Sequence, residues 1–236
     1  MREKGRSTSM AEVRGFPADR LAAMGIGGAW IALATAETLL LKGQDALDDV
    51  SMIGDNYWLI AAAGFLHACA SVLLVVGLAG VAPLLWASAS ARVGWFFTAA
   101  MATGLGSFAM VHILALETAA AGLDGPAMNR FLVERLGEGT GPWTIPVLFV
   151  ALLGPWSVVL LLFGLTRVRR IHWISPALFA GGAVAHMLIP GEIPESTSLW
   201  VMAVGGILAA NGILRSRTHP VGDVGVGKFP PVPAEG

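Results

Sequence analysis

Four ionisable side chains stand singly inside long apolar runs: Glu37, His67, His112 and His186. A charge or a bare imidazole at membrane depth costs several kcal/mol unless it meets a partner or water, so each marks a candidate site. Glutamate kept protonated by burial can serve as a general acid, and imidazole as a base or an orienting group. Glu37, His67 and His112 are therefore assigned catalytic roles, with Glu37 the acid and the two histidines the base or orienting groups. His186, Ser71, Glu117 and Glu192 are assigned to substrate contact. Ser71 follows His67 by four residues and shares its helix face. His112 and Glu117 are five apart, about 140° around a helix, so His112 is placed inward and Glu117 on a wet rim.

The same histidines suit metal chemistry. Imidazole binds zinc, copper and iron, three protein ligands with one open position describe a catalytic zinc, and two histidines on neighbouring helices describe haem b ligation. His67, His112 and His186 would be the ligands. No H-E-x-x-H or i, i+4 histidine pair supports this, so a transition metal or haem is the alternative rather than the leading reading. A proton-coupled transporter and a structural membrane subunit are further alternatives.

The elements that must carry these groups follow from composition. Apolar residues are 55% of 236 and charged residues 13%, against about a quarter charged in soluble domains, which points to an integral membrane protein. No basic patch with interleaved aromatics argues for nucleic acid. The single Cys69, in an apolar run, reads as a small buried hydrophobe. No small-residue cleavage site follows a short apolar core near the start, so the first helix is read as its own insertion signal.

Six spans are predicted: residues 21–41, 57–82, 93–123, 143–165, 173–189 and 199–214. A basic arm (1–20) precedes them and a Gly- and Pro-rich tail (216–236) follows; both are expected to be disordered. Residues 127–136 have the pattern of a short amphipathic surface helix, Gly154-Pro155 is expected to kink the fourth span, and Pro190, Gly191 and Pro194 to break the chain before the sixth. With the start of the chain inside, twelve Lys and Arg fall on inner segments and only Lys42, Arg130 and Arg135 outside, so both termini are expected in the cytoplasm.

Depth then becomes legible at 1.5 Å per residue. Glu37 and His186 would lie ~6 Å from the outer surface, His112 ~9 Å and His67 ~15 Å. All four share the outer half, and the staggered depths of His67 and His112 argue against a haem pair. The resulting expectation is an all-helical bundle with an outer-leaflet polar cavity for a small lipophilic molecule of the isoprenoid, quinone or lipid class. Membrane lipid is the implied partner, a homo-oligomer is allowed, and a bacterial-type plasma membrane is the expected location.

Overall fold

The computed structural model describes residues 18–42, 56–122, 153–189 and 192–216, less the side chains of 41–42, 86–87 and 192–195. Six α-helices make up this part: α1 Ala18–Lys42, α2 Tyr57–Val81, α3 Ala89–Ala120, α4 Gly154–Arg167, α5 Ile174–Leu188 and α6 Glu192–Arg215. There is no strand among the described residues. The 127–136 segment, the 143–152 part of the fourth span, and residues 1–17 and 217–236 of the arms lie outside the described residues, whereas Ala18–Arg20, expected in the basic arm, form the start of α1.

Four helices are long and apolar enough to cross a membrane: α1, α2 with the turn after it, α3, and α6 from Ser196. This makes the chain a membrane protein. The described parts of α4 and α5 are shorter, at 14 and 15 residues. At 1.5 Å per residue α3, with 32 residues, is about 48 Å long, well beyond the ~30 Å hydrocarbon core.

The helix ends have local causes. A 3₁₀ turn, Ala82–Ala87, continues directly from α2 with Pro83 at its start. Ser88 then turns extended (φ −149°, ψ 123°), and its hydroxyl accepts from the Ala91 N–H, capping α3. For that reason α3 begins before the expected Val93. It stops at Ala120 because Gly122 takes φ +67°, a left-handed conformation that glycine tolerates best, and the Ala121 and Gly122 N–H groups close back on the Glu117 and Ala119 carbonyls. Pro194 does not delay α6: it lies in the first turn, where a missing N–H breaks no helical bond, so α6 begins at Glu192 rather than near Leu199. Pro155 likewise falls in the first described turn of α4.

Each helix packs on its sequence neighbours, and α6 returns to α1, which closes a ring. The pairings run antiparallel. Gly80 meets Ala22, Gly77 meets Gly25, and His67 meets Glu37, so numbers fall along α2 as they rise along α1. The same inverse order joins α3 to α4 through Gly94 with Leu161 and Ala91 with Gly164. A Cβ added at Gly25, Gly80, Gly94 or Gly164 would overlap the neighbouring backbone, so these helices touch main chain to main chain.

Polarity is distributed as lipid demands. Large apolar side chains face outward, among them Trp58 (81% exposed), Phe65 (70%), Phe96 and Met110. His67, His112, Thr98 and Ser157 are buried. Hydroxyls inside the ring are bonded across helices: Thr98 with Ser157 at 3.0 Å, and Ser71 donating to the Ala102 carbonyl at 2.7 Å.

Candidate functional site: a histidine–glutamate pair on a central cavity

His67 is 1% exposed and has both ring nitrogens engaged. Nδ1 lies 3.0 Å from the Ala63 carbonyl one turn back, an acceptor only, so Nδ1–H donates to it. Nε2 then faces Oε1 of Glu37, reaching across from α1, at 2.9 Å. A bare imidazole nitrogen and an ionised carboxylate would both offer lone pairs across that gap. One proton must therefore lie between them, either on an imidazolium donating to a carboxylate or on a carboxylic acid donating to imidazole. Both forms are neutral as a pair, which is what a low-dielectric site tolerates.

His112 approaches from α3. Its Nδ1–H donates to the Phe108 carbonyl at 2.7 Å, and its ring lies nearly parallel to that of His67, with centroids 5.3 Å apart and planes 17° apart. Phe108, four residues earlier on the same face, is also near-parallel to His67 at 6.2 Å. Gly64 permits this approach, since a Cβ there would stand 2.9 Å from the His112 Cβ. Gly64 lies three residues before His67, so His112 meets α2 about one turn nearer its start and its ring reaches His67 from there.

A cavity of about 190 Å³ occupies the centre of the ring, and every helix contributes to its wall. Glu37, His67 and His186 supply the ionisable groups; Trp30, Met101 and Met202 are among the apolar ones. His186, on α5, has Nδ1 3.3 Å from the hydroxyl of buried Ser198 on α6. The indole N–H of Trp30 is buried with no acceptor among the described residues, and its ring meets Phe179 edge to face at 4.5 Å.

Three of the expected groups, Glu37, His67 and His186, therefore share one cavity, while His112 sits behind His67 and is not part of the wall. Ser71 is diverted: its hydroxyl ties α2 to α3 and does not line the cavity. Glu117 is exposed on α3. Glu192 opens α6, and its side chain lies outside the described part. Ser198 and Phe108 carry no mark in the sequence that sets them apart from other apolar-run residues.

The donor set does not suit a metal. Both nitrogens of His67 are committed to hydrogen bonds, and no group of three or more His, Cys, Asp or Glu is placed to hold an ion among the described residues. Nor do the paired histidines suit haem. They stack face to face at 5.3 Å, whereas axial ligation needs two nitrogens aimed at one iron from opposite sides of a macrocycle. No family model, curated protein or solved structure matches this chain.

Proposed function

We propose that this chain is a six-span membrane protein, both termini cytoplasmic, whose central cavity opens toward the outer leaflet and takes a small lipophilic molecule. The Glu37–His67 pair is the reacting or recognising group. The observation that carries this reading is the 2.9 Å contact between His67 Nε2 and Glu37 Oε1 on the wall of a chamber whose other lining residues, His186 apart, are apolar. A shared proton beside an apolar pocket can be lent to a carbonyl or hydroxyl oxygen and recovered, which is acid–base chemistry without a net charge left in the membrane. Glu37 is the acid, His67 the base that receives the proton back, and His186 a second polar contact. His112 is a positioning residue acting through His67. The excess of Lys and Arg on the segments assigned inside supports the orientation, and a bacterial-type plasma membrane is the proposed location.

The test is chemical. An organic extract of purified protein should yield about one equivalent of a lipophilic molecule per chain. That equivalent should vanish when Leu105, on the cavity wall, is replaced by Trp in a variant that still folds. Bulk lipid in equal amounts from both proteins would reject the reading.

The stacking of His112 on His67 favours one second reading, a proton path through the bundle. Protein in liposomes would then conduct protons down an imposed gradient and lose that conductance in Glu37→Gln.

A further inference from the structure

The size and wall chemistry of the cavity restrict what it can hold, given the reading of it as a lipophilic-molecule site. Its volume is about 190 Å³. An engineered apolar cavity of about 150 Å³ accepts benzene, so this one admits a single six-membered ring with small substituents and not a folded isoprenoid chain. Its wall presents two thioethers, Met101 and Met202, and the aromatic Trp30 and Phe108. Sulfur and aromatic edges both pack favourably on a flat π-face.

The polar groups are not gathered on one side. In the closed ring α2 and α5 are three places apart, so they stand across the cavity from each other. His67, with Glu37 beside it, approaches from one side, and His186, held by Ser198, from the other. A ligand satisfying both must carry oxygen at opposite ends of a ring. We infer that the cavity binds the headgroup of a para-dioxygenated ring, of the benzoquinone or hydroquinone class. One oxygen meets the Glu37–His67 pair and the other meets His186, with any aliphatic tail leaving between helices into lipid.

Three probes test this on the full chain in lipid nanodiscs: decyl-1,4-benzoquinone and 4-decylphenol, which share a tail and differ in ring oxygens, and the acyclic isoprenoid alcohol farnesol. Binding is read by calorimetry. The quinone should bind saturably at one per chain and 4-decylphenol about tenfold more weakly, the loss expected for one hydrogen bond, while farnesol shows no saturable binding. His186→Leu should lower quinone affinity to that of the phenol and leave the phenol unchanged; His186→Gln, which can still donate, should restore most of the difference. Equal affinity for quinone and phenol, or quinone binding indifferent to His186→Leu, overturns the inference. Saturable farnesol binding without ring binding overturns it while leaving the lipophilic-molecule reading intact. Binding of any probe that persists in Leu105→Trp is partition into lipid, and it overturns both, as does the absence of binding by all three.

Discussion

The two ends of the bundle are built on opposite terms. Where α1 and α3 begin and α2 and α4 end, glycines bring the backbones together: Gly25 and Gly80 between α1 and α2, Gly94 and Gly164 between α3 and α4. At those four positions the glycine meets the backbone of the neighbouring helix directly. Toward the other end the same helices hold side chains between them, namely Glu37, His67, His112 and Met101, and a cavity opens. Without a hydrophobic drive between helices in lipid, close van der Waals contact must hold the bundle. The glycine end supplies that contact, which frees the other end to carry a void and a polar pair whose histidine is buried, both of which cost stability.

Breaking the tight end should therefore have the largest effect. Gly80→Val forces α1 and α2 apart and should lower unfolding stability in detergent by about 3 kcal/mol or more. Gly181→Ala, where a Cβ meets nothing within 4 Å, should stay within about 0.5 kcal/mol of the parent. Equal losses at the two glycines would remove the basis of the contrast.

The polar end should show coupling instead of bulk loss. In a double-mutant cycle with Glu37→Gln and His67→Asn, the interaction energy should be about 1 kcal/mol, kept modest because the Glu37 side chain is 34% exposed. Additive effects would mean the two groups do not act as a unit. Thr98→Val removes an interhelical hydroxyl contact with Ser157 and should cost about 0.6 kcal/mol, typical of such bonds in membranes. Glu117→Gln, exposed on α3, should change neither stability nor ligand content.

The membrane class and the helical architecture were readable because hydrocarbon imposes long uncharged runs, and such runs survive any tertiary detail. Glu37, His67 and His186, which line one cavity, stand out in the sequence for the same reason: a titratable residue in an apolar run is costly wherever it points. What the runs could not supply was azimuth. Gly64 decides how α2 and α3 meet, because it lets the His112 Cβ approach and the His112 ring stack on His67. Ser71 shares a face with His67, yet the Ala102 carbonyl on the next helix accepts from its hydroxyl. Pro194 has the look of a helix breaker in the sequence, yet in the first turn of α6 it costs no helical bond, so the turn before α6 is shorter than expected.

The shared proton of the Glu37–His67 pair underlies the whole account, and magic-angle-spinning NMR of ¹⁵N-histidine, ¹³C-glutamate protein in bilayers reads it directly. The account predicts a Glu37 carboxyl carbon within about 4 Å of His67 Nε2, with one proton held by the pair as imidazolium or as carboxylic acid, and loss of that signal in His67→Asn. A neutral His67 protonated only on Nδ1, beside an ionised Glu37 with no dipolar contact to it, would contradict the account.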